Sequence, residues 1–315
     1  MKKLAVNGKA RGEFNFIVTK CDGKKEEYKF HNLLLNGAFS QSSRTLNYCT
    51  VGTGTNPPTP TDTGLQSRLG SNLSNLGIGS DVPIVWVDSV ATVGRKTTFS
   101  FNPGEIVGNI SELAIYASTS ISPSNILIRA LIEDINGNPT AITLGSGDQL
   151  TIEHTLYVEI ETRPTPVVMN INSVSYTVSL IVAYPALYIY SPTDPTIISA
   201  QNYPELAAAS GSATIAQGIT VPSVGIIARP DYSGARVNKN PTAEYNLQPA
   251  LGYSEITLSV TMDTGEQLPG NVAIGGMMVG GSISRPTIAV LFDPPLPKNS
   301  SVGYKFDITA RISRS

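Results

Sequence analysis

This sequence is poor in charge. Lys, Arg, Asp and Glu make up 15% of its 315 residues, against about 25% in typical soluble domains. The net charge is −2 at pH 7 and the pI is about 5.8, so the clustered basic excess of a dedicated nucleic-acid surface is missing. The basic group Lys20, Lys24 and Lys25 is met at once by Glu26 and Glu27 and reads as a solvated turn. Cysteine is scarcer still. Cys21 and Cys49 form no C-x-x-C pair, which excludes a zinc ribbon or a thioredoxin-type site. No apolar run approaches the roughly 18 residues of a membrane span; the longest, 180–183 and 186–190, are parted by Pro185. Met1-Lys2-Lys3 starts like a leader, but no apolar stretch follows. A cytosolic fold with two free thiols, no membrane insertion and no nucleic-acid partner is therefore expected.

Ser, Thr, Asn, Gly and Pro fill the gap, with 28 glycines and 22 prolines. That is the composition of a turn-rich β protein. Period-two alternation supports the same class. Phe14, Phe16 and Val18 alternate with polar neighbours, and Asp22-Gly23, a strong turn dipeptide, returns the chain through Tyr28 and Phe30. Residues 84–87, holding the only tryptophan, Trp86, read as a short buried run. Strands are expected at 97–101, 110–116, 126–133 and 149–161. The last puts Leu150, Ile152, His154, Leu156, Val158 and Ile160 on one face. Beyond 164, strands are expected at 174–189 with a break at Pro185, and at 218–227, 256–262, 272–279, 287–292 and 304–312. Residues 230–252 read as a long Asn/Pro/Gly-rich loop, and 205–209 as one helical turn.

Thr162-Arg163-Pro164-Thr165-Pro166 has the composition of an extended linker. It divides the chain into two tandem antiparallel β-sandwich-like domains, 1–163 and 164–315. Both halves end in the order strand, Ser/Gly/Pro loop, strand, turn, strand. That order fits a diverged internal repeat and equally two unrelated β domains with similar turn chemistry.

The residues that carry chemistry elsewhere have structural explanations here. His154 lies on an apolar strand face and reads as a core imidazole bonded to a backbone carbonyl; His31 reads as a strand end. Asp134-Ile135-Asn136-Gly137-Asn138 begins like a calcium loop, but its glycine comes at the fourth position and Gly145 stands where the closing glutamate belongs; an Asn-Gly turn explains it. Gly52 and Gly54 lack the third glycine of a dinucleotide fingerprint and are followed by prolines. Glu153, Glu159 and Glu161 share the outer face of one strand, and their spacing alone does not make a glycosidase pair. In 275–281, glycines flank Met277 and Met278; this reads as a packed strand at a subunit contact. No motif calls for a metal or a cofactor, and the chain is expected not to be an enzyme.

The richest stretch is 50–69. Val51-Gly52-Thr53-Gly54-Thr55 runs into Asn56-Pro57-Pro58-Thr59-Pro60, which neither a helix nor a central strand accommodates. Asp62 or Thr63 then caps a short helix with Leu65, Leu69, Leu73 and Leu76 on one side. This pattern resembles one found in tail-associated structural proteins of tailed bacteriophages. A second part of the likeness is Ile110-Ser111-Glu112-Leu113-Ala114-Ile115-Tyr116, followed by Arg129-Ala130 and Gly147-Asp148-Gln149-Leu150-Thr151-Ile152. It covers about half the chain, and residues 165–315 carry none of it.

The resemblance implies a helix beside a small β-sandwich whose core strand is fed by S-E-x-x-I-Y. It also implies no transferable catalytic residue, repeated copies of the chain, other virion proteins as partners, and a place in the virion tail after assembly in the host cytoplasm. On that reading Asn56, Pro57, Pro58, Pro60, Met277 and Met278 are the candidate subunit contacts, with the loop 230–252 beside them. Three competitors are a receptor- or glycan-binding tip protein using Tyr184, Tyr188, Tyr190, Tyr203 and Tyr232, a capsid decoration protein, and a polysaccharide depolymerase.

Overall fold

The computed structural model describes residues 4–40, 46–70, 74–75, 80–119, 121–182, 213–221, 223, 231–270, 272–279, 288–299 and 301–315. In chain order the strands of the first part are β1 Leu4–Thr19, β2 Lys25–Leu34, β3 Tyr48–Gly52, β4 Ser74–Asn75, β5 Ser80–Val87, β6 Val90–Phe101, β7 Gly108–Ile110, β8 Glu112–Tyr116, β9 Ile126–Leu131, β10 Ile142–Leu144 and β11 Gln149–Glu161. There follow β12 Val167–Ile171, β13 Val174–Val182, β14 Ala213–Thr220, β15 Asp231–Lys239, β16 Thr242–Gln248, β17 Tyr253–Met262, β18 Ile274–Val279, β19 Ile288–Leu296 and β20 Tyr304–Arg314. Among the described residues the only helical segments are two 3-10 turns, Asn36–Phe39 and Pro249–Leu251. The protein is all-β, built of sandwich-like sheets, as its composition and alternation require.

β11 and β1 show the cause most plainly. Every second residue of each is buried, because successive side chains of a strand point to opposite faces. The two pair antiparallel from Gly8 opposite Ile160 to Thr19 opposite Gln149, and β6 covers the other edge of β11. The other edge of β1 is shared. Gly12–Thr19 pairs antiparallel with β2, while Leu4–Ala10 pairs parallel with β20. The sheet therefore forks, one branch running β20-β17-β16 and the other β2-β9-β8-β3-β4. Arg314 fills the fork: its Nε donates to the Leu34 carbonyl at 2.6 Å and its Nη2 to Asn36 Oδ1 at 2.8 Å. Strands on both sides of residue 163 thus share one sheet.

The second sheet runs β12-β13-β19-β18-β14-β15. Its inner residues join those of the first in one continuous core, with the Phe292 and Phe306 rings 5.3 Å apart across the junction. Each large apolar side chain buried there contributes about 1.5–3 kcal/mol. The 162–166 segment is tied at its start, where the Thr162 N–H and hydroxyl both donate to the Ser89 carbonyl (2.8 and 2.6 Å) and the Thr162 carbonyl accepts from the Val182 N–H at 2.8 Å.

Three local expectations are corrected. Among the described residues no helix follows Asp62: the N–H groups of Gln66 and Ser67 go to the Glu112 side chain and that of Leu69 to the Val51 carbonyl, so no i to i−4 ladder forms over 62–70. Of the expected loop 230–252, residues 231–248 are mostly strand, because β15 pairs with β14 and β16 with β17. The run 84–87 is not buried but is half of an edge strand, with Val85 54% and Val87 64% exposed. Leu73 and Leu76, the helical turn at 205–209, and Tyr184, Tyr188, Tyr190 and Tyr203 lie outside the described residues.

Candidate functional site

β8 and β9 are buried at every position, yet each carries a charge. Their register sets Glu112 opposite Leu131 and Ala114 opposite Arg129, so Glu112 and Arg129 lie diagonally on one face. Both are almost wholly enclosed, Glu112 at 0% and Arg129 at 3% exposure. A buried carboxylate must be saturated with donors to remain charged, and this one is. Glu112 Oε1 accepts from the N–H of Gly54 (2.9 Å) and of Ser67 (2.8 Å). Oε2 accepts from the Gln66 N–H (3.1 Å) and from Arg129 Nε (3.0 Å) and Nη2 (2.8 Å).

The rest of the guanidinium reaches the Pro-rich loop. Arg129 Nη2 donates to the Asn56 carbonyl at 3.0 Å and Nη1 to Asp62 Oδ2 at 2.6 Å. Asp62 in turn accepts from the Thr59 N–H and hydroxyl, and Gln66 Oε1 accepts from the N–H of Thr55 and Asn56. Ser111 adds a bond from its hydroxyl to the Gly54 carbonyl. Burial works to raise the Asp62 carboxyl, but the Thr59 and Arg129 bonds outweigh it and leave it below the usual carboxylate range. Burial likewise works to lower Arg129, and its bonds to Asp62 and Glu112 raise it on balance.

This lattice explains the G-x-G spacing. A Cβ on Gly54 would collide with the Glu112 carboxylate, and one on Gly52 would stand 2.5 Å from the Ser67 carbonyl oxygen. The glycines let a carboxylate reach main-chain donors; they do not cradle a phosphate.

The site residues expected from sequence part company. Asn56, Pro57 and Pro60 are exposed and Pro58 is half-buried, and the Pro60 carbonyl accepts from the Asn36 N–H at 2.8 Å. These four sit together on the tip that the lattice holds. Met277 and Met278 are 0% and 2% exposed. Their side chains are covered by this chain's own strands, where β18 lies between β14 and β19. Of the residues that hold the site, Glu112 and Arg129 stood in the quoted motifs without a role, and Asp62 was expected to cap a helix. The signal for Glu112 and Arg129 was a single charge in each of the otherwise apolar runs Glu112–Tyr116 and Ile126–Leu131.

His154 is fully buried, and burial lowers it to about 3. Its Nε2 lies 3.1 Å from Asn32 Oδ1, so its partner is a side-chain amide and not the expected backbone carbonyl. Gly12 leaves the space that bond needs, since a Cβ there would stand 2.6 Å from His154 Nε2. Cys21 is exposed and Cys49 buried, and both are free; burial pushes the Cys49 thiol upward. Asp134 closes a turn, accepting from the N–H groups of Asn136 and Asn138. Tyr232 is half-buried, with the Arg236 guanidinium 4.1 Å from its ring centroid.

Among the described residues no group of three His, Cys, Asp or Glu could hold a metal ion, and no helix is long and apolar enough to cross a membrane. A polar groove of 550 Å3 lies on the outer face of β1, β2 and β11, bounded by Glu13, Asn15, Lys29, His31, Glu153 and Tyr157. Compared with protein-family models, curated proteins and solved structures, the chain matches none.

Proposed function

We propose that this chain is a non-enzymatic structural subunit of a bacteriophage virion, in the tail, collar or baseplate, where it joins neighbouring subunits or anchors a fibre. The observation that carries the reading is the exposed Asn56–Pro60 tip, whose base is held by the enclosed Glu112–Arg129 pair. A loop ordered before its partner arrives loses less conformational entropy on binding, which suits a contact made many times in an assembly. Glu112 itself is saturated and sealed, so it is available for holding a loop and not for attacking a substrate. The likeness of the 50–69 and 110–116 patterns to tail-associated proteins supports the same assignment.

Receptor or glycan binding is the second reading. It is favoured by the groove beside Tyr157, which mixes acidic, amide and cationic groups as sugar hydroxyls require. Labelling purified particles with antibody fragments and viewing them by electron microscopy separates the cases. Label at the tail, neck or baseplate is expected. Label over the head would move the chain to a decoration role, and particles without label would overturn the virion assignment.

A further inference from the structure

Protein interiors are packed as densely as organic crystals, and the voids left in them are few and small. The junction of the two sheets departs from that rule. A cavity of 340 Å3, partly open to solvent, lies beside the Phe292–Phe306 contact. Ligand sites begin at about 300 Å3, and an apolar cavity of about 150 Å3 already holds benzene. Its wall is formed by Leu4 of β1, Tyr176 and Val178 of β13, Phe292 and Leu296 of β19, and Phe306 of β20. All six are buried, so the space is enclosed by core side chains and not by a loose loop.

Two polar groups of the lining are left without a partner. Tyr176 is 3% exposed, and among the described residues nothing bonds to its hydroxyl. A buried tyrosine hydroxyl ordinarily has a partner, so this one is left to whatever fills the space. Three charged residues, Glu244, Lys305 and Asp307, line the cavity as well. Lys305 Nζ lies 3.3 Å from Asp307 Oδ1, which also accepts from the Ser259 hydroxyl. Glu244 is exposed, on β16 opposite Thr257, and pairs with no cation among the described residues. The charge left over at the cavity is therefore negative.

We propose that this cavity binds a small organic cation: an apolar body of about eight carbons, a size that so large a cavity accommodates, carrying a protonated amine. The body lies among the buried side chains, where it withdraws apolar surface from water. The amine pairs with Glu244, and bonds between ionised partners are the stronger kind. An anionic head is disfavoured, because Glu244 repels it and Lys305 is already engaged by Asp307. An uncharged head keeps only the contribution of the body.

Nothing in this site depends on a place in a virion, so the test uses the purified full chain and stands apart from the particle-labelling experiment. The probes are n-octylammonium chloride, n-octanol and sodium octanoate, read by calorimetric titration and by Tm. n-Octylammonium is expected to bind saturably and to raise Tm, about tenfold more tightly than octanol, with octanoate the weakest. Glu244→Gln is expected to weaken n-octylammonium about tenfold and to leave octanol unchanged. Ile171→Trp, at a half-buried residue of the lining, fills the space and is expected to abolish binding of all three probes. Met169→Trp fills it from the same strand, and circular dichroism identifies the variants that fold. The proposal is overturned if no probe binds saturably, or if octanoate binds as tightly as n-octylammonium. It is overturned equally by undiminished binding in a folded tryptophan variant, or by an n-octylammonium affinity that Glu244→Gln leaves unchanged.

Discussion

The stretches 50–69 and 230–252 are both rich in Gly and Pro, and their described residues fold in opposite ways. The first stays irregular beyond Gly52 and the second becomes two strands. The difference lies in where the backbone donors go, since a backbone N–H withdrawn from water must find a partner. In the first, side chains take them: Glu112 serves Gly54, Gln66 and Ser67, Gln66 serves Thr55 and Asn56, and Asp62 serves Thr59. In the second, neighbouring strands take them, β14 for 231–239 and β17 for 242–248. Turn-forming composition marks where a helix is improbable. It does not distinguish a loop from a strand whose partner lies elsewhere in the chain.

The sharpest way to break the first stretch is to remove its cation. Arg129→Met leaves Glu112 buried and unpaired, and should cost about 3–5 kcal/mol and expose 53–69 to proteolysis, measured by urea unfolding and limited digestion. The second stretch should answer to proline instead. Single prolines at Ala235, Arg236, Val237 and Asn238 should alternate between a loss of about 3 kcal/mol and little effect, because alternate N–H groups of an edge strand face the ladder; a flat response would mean that the β14 pairing does not hold 231–239. Gly54→Ala pushes a methyl into the Glu112 carboxylate and should cost about 1–3 kcal/mol, as overpacking does, with loss of Tm as the readout.

Acid separates the loop from the frame. The Asp62 carboxyl is depressed in the fold, so its contribution is complete above the unfolded value of about 3.9 and is lost as pH falls below it. Hydrogen exchange of 53–62 should therefore quicken below that pH, and Asp62→Asn should remove the dependence. His154 acts on the whole domain and over a higher range. It is neutral and lowered to about 3, so its contribution is complete above about 6.5 and declines as pH falls toward the folded value. The smallest effect belongs to the tip: Pro57→Ala, at an exposed position, should change stability by no more than about 0.5 kcal/mol while weakening whatever the tip grips.

Much of the frame was legible. The alternation of 149–161 identified β11 and its buried face residue by residue, because one solvated and one buried face leave a period-two trace. The Asp22-Gly23 turn was legible because Gly23 supplies the positive φ, 85°, that a tight turn uses. The Pro-rich tip was placed correctly on the surface. Its support was not: Asp62 has the identity of a helix cap and a role in an ion lattice, and the residues that decide between the two lie 50 and 67 positions further along. Trp86 misled because a run of apolar residues reads as buried until the strand is seen at an edge.

What the sequence determined by itself is the all-β class, the faces of the long alternating strands and the conformations closed to the 56–60 segment, since these follow from alternation over a few residues and from the fixed φ of proline. Only the tertiary structure decided that β1 divides its edge between β2 and β20, that 231–248 are strands, and that Glu112 and Arg129 hold a loop. Each of these depends on which distant backbone or charge lies opposite, and strand pairing and charge burial are settled by contacts far apart in the chain.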